Sequence, residues 1–202
     1  MVLRINPQNP QKRLIDKVAG ILREGGVMAY PTDTIYGFGC DIFSKKAIQR
    51  IYQIKKRNRQ KPFSFICSDL KNISQYAQVT NAAYKIMKRC LPGPYTFILP
   101  GSKLVPKIML TKRKTVGIRV PNNNISLAIV KSLDHPIIST SVGLSGGEIL
   151  TDPLQIEERF GSQIDLTIDG GILANQPSSI ISLLDDQVEI IREGLGDTRQ
   201  FL

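Results

Sequence analysis

Apolar positions recur along this chain with two periods, and their order is the first guide to its fold. Between Asn9-Pro10 and Gly25-Gly26, Leu14, Val18, Ile21 and Leu22 fall on one helical face. That spacing predicts a helix capped by Asn9, entered through Pro10 and stopped by the glycines. Val27–Tyr30 then reads as a short buried strand. Pro31 and a hydroxyl-bearing turn (Thr32, Thr34) follow, and then a second apolar run interrupted by Gly37 and Gly39. Two glycines this close to such a turn suggest backbone lying near a ligand.

Further along, Ser44 is placed to cap a helix that buries Ile48, Ile51 and Tyr52 and leaves Lys45, Lys46, Arg50 and Lys56 wet. That helix runs into a basic loop, KKRNRQKP (55–62). Phe63–Cys67 alternates weakly and is expected to be a buried strand. Thr80 caps a helix with Ala83, Ile86, Met87 and Cys90 inward, and Leu91-Pro92-Gly93-Pro94 breaks the chain before strand 95–99. A basic connector (103–114), the strand VGIRV (116–120), a helix over 125–133 and a strand over 136–141 come next. An acidic helix (152–160) and strands over 164–168, 179–184 and 188–192 complete the pattern. Helices alternating with strands, with no repeat and no linker, predict one α/β domain over residues 1–202, with a mixed, twisted sheet flanked by helices.

Composition narrows the class. A hydrophobic share of 42% over 202 residues supports a globular core, no apolar run reaches membrane-spanning length, and no signal core opens the chain; the expected place is the cytoplasm and no membrane partner is expected. Cys40, Cys67 and Cys90 lack metal-ligand spacing and read as reduced thiols. The single histidine, His135, argues against His-based triads and multi-His metal sites.

Charge changes the picture more. Residues 1–41 carry a net +1, residues 42–133 carry +18 with one acid (Asp69), and residues 134–202 carry −9. A block of +18 suits polyphosphates, nucleotides or RNA; mutual neutralisation with the acidic segment is the bland alternative. Arg119 lies within a short apolar strand, so it must face solvent or meet an anion. Ser139, Thr140 and Ser141 end a strand just before glycines, a pattern fit to cradle phosphate. Walker A, dinucleotide, HExxH, CxxC and GxSxG patterns are absent. The remaining cationic and hydroxylic set fits adenylyl transfer, in which positioning and electrostatic stabilisation carry most of the work. On the residues alone, phosphate chemistry and plain RNA binding stay open.

Eight segments in order, PTDTIYGFG (31–39), KKRNRQKP (55–62), LPGPYTFIL (91–99), VGIRVP (116–121), STSVGLSGG (139–147), DGG (169–171), PSSII (177–181) and IREG (191–194), resemble the YrdC/YciO family over nearly the whole chain. The resemblance implies a twisted α/β sheet with a concave, positively charged face. It also implies an enzyme of nucleotidyltransferase type, making L-threonylcarbamoyladenylate from L-threonine, bicarbonate and ATP with Mg²⁺, on the way to threonylcarbamoyladenosine in tRNA. Carried over by motif, Thr32 would hold threonine and Arg119 would pair with its carboxylate. Lys55 and Arg57 would grip the ATP phosphates and serve catalysis, with Lys61 beside the substrate. Ser139 and Ser141 would bond nucleotide or substrate, Ser141 as a catalytic group, and Arg192 would sit near the nucleotide. The alternative is a non-catalytic binder of tRNA or double-stranded RNA, ribosome-associated, on the same fold.

Two departures separate this chain from the family's synthases. Gly143 stands where S-x-N supplies an amide, and Ser182 stands where S-T-[IV]-[IV]-D supplies a carboxylate. The basic stretch and the closing REGLGDTRQFL resemble the YciO branch of the family.

Overall fold

A computed structural model describes residues 1–56, 63–111, 113–144 and 146–201. The strands are β1 (Val2–Arg4), β2 (Met28–Tyr30), β3 (Gly37–Gly39), β4 (Ser64–Ile66), β5 (Tyr95–Pro100), β6 (Thr115–Arg119), β7 (Ile137–Ser141), β8 (Leu166–Asp169), β9 (Ser179–Ser182) and β10 (Glu189–Arg192). The helices are α1 (Lys12–Arg23), α2 (Lys45–Ile54), α3 (Leu70–Tyr76), α4 (Asn81–Cys90), α5 (Asn124–Leu133) and α6 (Pro153–Phe160). The strands form one mixed sheet in the order β1-β8-β2-β3-β7-β4-β6-β5-β9-β10.

Two expected caps form: Ser44 and Thr80 accept backbone N–H bonds from Ala47 and Ala83. Asp152, expected inside its helix, caps it instead, accepting from Leu154. The first helix departs from expectation: it starts at Lys12 with Gln11 as a cap lacking a side-chain bond. Asn6 takes over, its Oδ1 accepting from the backbone of Gln8 and Asn9 and folding 6–9 into a turn. The strand β1 and the helix α3 were not expected. Three-residue β1 is stabilised by pairing with β8 rather than by local propensity.

Two apolar clusters lie on opposite faces of the sheet. On one, α2, α3, α4 and α6 cover Phe38, Phe65, Phe97, Leu99, Val116, Ile118, Ile138 and Ile181. On the other, α1 and α5 cover Met28, Tyr30, Ile66, Ile137, Leu166 and Ile168. Side chains alternate along strands, so Ser64, Thr96, Gly117, Arg119, Ser139 and Ser141 face the same side as α1 and α5. The two helices cover that face from β1 as far as Ile137 and Ile66. The site lies on the same face beside them, from the Gly37, Ser139 and Ser64 positions across to β10.

Candidate active site

The cleft on this face is lined by residues from seven strands and the loops beside them. Thr32, Ile35, Tyr36 and Gly37 come from the turn and strand after β2. Ser64, Thr96, Arg119, Ser139, Thr140 and Ser141 come from β4, β5, β6 and β7. Pro177, Ser178, Ile180 and Arg192 close the far side. Strand register sets these neighbours. Ser64 lies opposite both Ser139 and Gly117, Ser141 lies opposite Gly37, and Ile180 lies opposite both Thr96 and Arg192. The cavity volume is about 180 Å³, below the roughly 300–1,000 Å³ of sites that engulf drug-sized ligands. A small polar molecule fits inside, and a larger one enters by its reacting end.

Arg119 dominates the cleft. Its side chain is 7% exposed, and its Nη2 donates to Asp33 Oδ1 at 2.7 Å and to Thr34 Oγ1 at 3.1 Å. Thr34 Oγ1 lies 3.0 Å from Thr32 Oγ1, which accepts the Thr34 backbone N–H and donates to the Ile35 carbonyl at 2.7 Å. With the Thr32 proton committed to Ile35, Thr34 must be the donor to Thr32. The hydrogen bonds therefore run one way, from Arg119 through Thr34 and Thr32 into the backbone. Arg119 Nε is buried and has no hydrogen-bond partner among the described residues. A buried donor left unpaired costs about 1–3 kcal/mol, so this edge of the guanidinium is fitted for an acceptor that the described residues do not supply.

Lys55 does not line the cleft wall. It is 2% exposed, and its Nζ donates to the carbonyls of Ser141 (2.5 Å) and Gly143 (2.8 Å). These two bonds hold the ammonium at the turn leaving β7, outside the set of residues that line the cleft. Gly143 has φ +137°, and a Cβ there would collide with the Glu148 carbonyl oxygen. An asparagine cannot replace it without rebuilding the turn. Arg57 and Lys61, and with them most of the basic loop, lie outside the described residues.

Gly37 and Gly39 also serve differently than expected. An added Cβ at Gly39 would sit 2.7 Å from Tyr30 Cε1, and one at Gly37 would sit 3.2 Å from the same atom. These glycines make room for the buried Tyr30 ring rather than for a ligand alone, although Gly37 does line the cleft.

At the other end, Arg192 Nη2 donates to the Ser178 carbonyl at 2.7 Å, and Ser178 Oγ lies 2.9 Å from Thr96 Oγ1. Partial burial, and then the nearby Arg119 charge, hold the Arg192 guanidinium below the ordinary arginine range. Two cations therefore share one cleft. Tyr36 Oη donates to the Gly171 carbonyl (2.7 Å) and accepts the Gly170 N–H (3.1 Å), clamping the Asp169-Gly170-Gly171 turn to the cleft wall. Burial raises its pKa to about 12, so the phenol stays neutral.

Of the residues singled out from sequence, Thr32, Arg119, Ser139, Ser141 and Arg192 meet in the cleft, and Lys55 supports it from behind. Asp33, Tyr36, Ser64, Thr96 and Ser178 were missed. The signal that could have found Ser64 and Thr96 was their parity with Arg119 and Ser139, once strand register is known. His135 pairs with Asp41 at 3.5 Å and is not among the lining residues, and burial pushes the Cys40 and Cys67 thiols up. Histidine and thiolate catalysis therefore have no place here. What the cleft offers is cationic and hydroxylic: it can bind anions and stabilise developing negative charge. Arg119 and Arg192 are its only cations among the described residues. No helix among those residues is long and apolar enough to cross a membrane.

A mixed, helix-flanked sheet with a cationic, hydroxyl-lined cleft on one face defines the class. Residues 20–194 match the Sua5/YciO/YrdC family model, described as "Telomere recombination", and the chain belongs to that family. It is 46% identical to YciO of Escherichia coli K12 over 200 residues, covering 98% of this chain and 97% of that protein. The crystal structure of E. coli YciO superposes with a TM-score of 0.95 and covers 100% of this chain and 99% of the other. The threonylcarbamoyl-AMP synthase of Vibrio vulnificus is 30% identical over 184 residues, covering 89% of this chain and 98% of that one. The structure of Sua5 from P. abyssi complexed with L-threonine gives a TM-score of 0.90 at 28% identity, covering 96% of this chain and 57% of that protein.

Proposed function

We propose that the cleft binds L-threonine by its carboxylate on Arg119 and supports an ATP-dependent adenylyl transfer, yielding L-threonylcarbamoyladenylate from L-threonine, bicarbonate and ATP. The observation that carries this is the buried Arg119 Nε with no acceptor among the described residues, inside a cleft sized for an amino acid. A relative solved with L-threonine and relatives named threonylcarbamoyl-AMP synthase support the substrate class. In this reading the amino-acid nitrogen, already carrying the carboxyl group derived from bicarbonate, presents that carboxylate to the α-phosphate. A bond from carboxylate oxygen to phosphorus forms as the bond to pyrophosphate breaks.

Ser139 and Ser141 supply hydroxyls along β7, and Arg192 takes nucleotide phosphate at the far end. Arg57 and Lys61 keep their motif-based roles as phosphate and substrate contacts. Lys55 becomes a positioning residue that fixes the Ser141–Gly143 backbone. Mg²⁺ has no cage: the described residues hold no group of three His, Cys, Asp or Glu side chains that could ligate it. Both Asp33 oxygens are already engaged, by Arg119 and by the Asn122 N–H. The ion enters this reading only as the counter-ion of the triphosphate. The product would serve tRNA threonylcarbamoyladenosine formation.

Calorimetric titration with L-threonine tests the assignment of Arg119. Saturable binding that is lost in Arg119→Ala supports it, and binding indifferent to Arg119 refutes it.

A second reading has its own observation. Most described cations of the 42–133 block, among them Lys45, Lys46, Lys85, Lys88, Lys103 and Lys107, are exposed and away from the cleft. They suit phosphate contacts with tRNA or double-stranded RNA. Binding of either RNA that weakens steeply with salt would favour this role, and salt-independent binding would count against it.

A further inference from the structure

The two arginines of the cleft are held in unlike ways. Arg119 is ion-paired with Asp33, whereas Arg192 is held by the Ser178 carbonyl and forms no ion pair among the described residues. Asp33 is almost as buried as its partner, with 9% of its side chain exposed, and it uses both oxygens. Oδ1 takes Arg119 Nη2 at 2.7 Å, and Oδ2 takes the Asn122 backbone N–H at 3.0 Å. One carboxylate therefore ties the 31–35 turn to β6 and to the turn that follows it.

We infer that Asp33 sets the polarity of the cleft: it aims the free edge of Arg119 at a monoanionic carboxylate and keeps phosphate at the Arg192 end. The guanidinium is planar with its donors in a rigid fork, so saturating Nη2 with Asp33 and Thr34 fixes where Nε points. The pair is also neutral overall. An incoming anion at Arg119 meets a carboxylate just across the guanidinium, and that repulsion grows with the anion's charge. A carboxylate with one charge is tolerated there, and a phosphate with about two is turned away. Arg192, with no acid paired to it among the described residues, carries no such discrimination. Asp33 is thus a positioning and selectivity residue that acts through Arg119. This deepens the reading proposed above and rests on it for the identity of the carboxylate.

The test titrates the full chain with L-threonine and, separately, with inorganic phosphate. The proteins are the wild type, Asp33→Asn, Arg119→Ala, the double variant and Arg192→Ala. Asp33→Asn is expected to weaken L-threonine about tenfold or more, on the scale of losing one partner of a buried charge pair. The same change is expected to strengthen phosphate binding severalfold. In the Arg119→Ala background, where L-threonine binding is lost, Asp33→Asn brings no gain in phosphate binding, a dependence that general loosening of the fold does not produce. Wild-type phosphate binding depends on Arg192, and the phosphate gained in Asp33→Asn depends on Arg119.

An Asp33→Asn protein that melts like the wild type and keeps the same ratio of the two affinities overturns the inference. Should that variant not fold, Asp33→Glu replaces it. This keeps the charge and moves the oxygens, so phosphate must stay excluded while L-threonine weakens; phosphate admitted to the Arg119 end overturns the inference. If the wild type binds no L-threonine, the proposed function fails by itself. The phosphate arm still decides the role of Asp33, because a gain that depends on Arg119 supports it and no gain refutes it.

Discussion

The Lys55 ammonium lies 2.8 Å from the Gly143 carbonyl and 2.5 Å from that of Ser141, fastening the end of α2 to the turn that leaves β7. A buried cation spent on two backbone carbonyls orders the cleft wall without entering it. Replacing Lys55 with Met keeps the aliphatic stem and removes the donor. Each buried carbonyl left without a partner costs about 1–3 kcal/mol. Urea unfolding should therefore show a lower midpoint with the slope unchanged, and L-threonine affinity should fall as Ser141 loses its position. An unchanged midpoint would mean that the turn holds itself.

Gly143 is the other half of this arrangement. Its φ of +137° and the Glu148 carbonyl beside it leave no room for a side chain. Restoring the family's asparagine through Gly143→Asn should cost at least about 1–3 kcal/mol of backbone strain, visible in a thermal melt, and should not raise any synthase rate. A variant as stable as the wild type and more active would show that the turn adapts freely.

Gly39 offers a separate check on the sheet. Its missing side chain is filled by Tyr30 Cε1 at 2.7 Å and Met28 Cε at 3.1 Å. Gly39→Ala overpacks this corner and should destabilise by about 1–3 kcal/mol. A conservative Met28→Leu background tests whether the Met28 methyl is the contact that yields.

Alkaline pH tests the tyrosine clamp. Burial raises the folded-state pKa of Tyr36 to about 12, while the unfolded chain titrates near 10. The shift favours the neutral phenol in the folded state. Its contribution is complete below about pH 10 and disappears as pH rises through about 12. Tyr30 shifts in the same direction, also by burial. A tyrosinate absorbance titration of the wild type should show a late-titrating fraction that Tyr36→Phe reduces. The same variant loses the bonds to Gly170 and Gly171 and should melt earlier.

Much of this architecture was legible in the residues. Ser44 and Thr80 cap helices because their short hydroxyl side chains reach the first free N–H groups, a local interaction. Arg119 announced itself as a charge in an apolar strand. Pairing was what the sequence concealed. Asp33 and Arg119 are 86 positions apart, and nothing local says that they meet. Lys55 is expected at phosphate from its match to the family's K-x-R pair, and nothing local in the sequence says that the Ser141 and Gly143 carbonyls meet its ammonium. The glycines of 37–39 looked like room for a ligand, because the Tyr30 ring that fills the space arrives only when β2 pairs with β3.

The central claim is tested most directly by incubating the full chain with labelled L-threonine, bicarbonate, ATP and Mg²⁺ and separating the products rapidly. The account predicts threonylcarbamoyl-AMP and pyrophosphate whose formation needs every component and is abolished by Arg119→Ala. Absence of that product from a folded protein that still binds L-threonine would contradict the adenylyl-transfer reading.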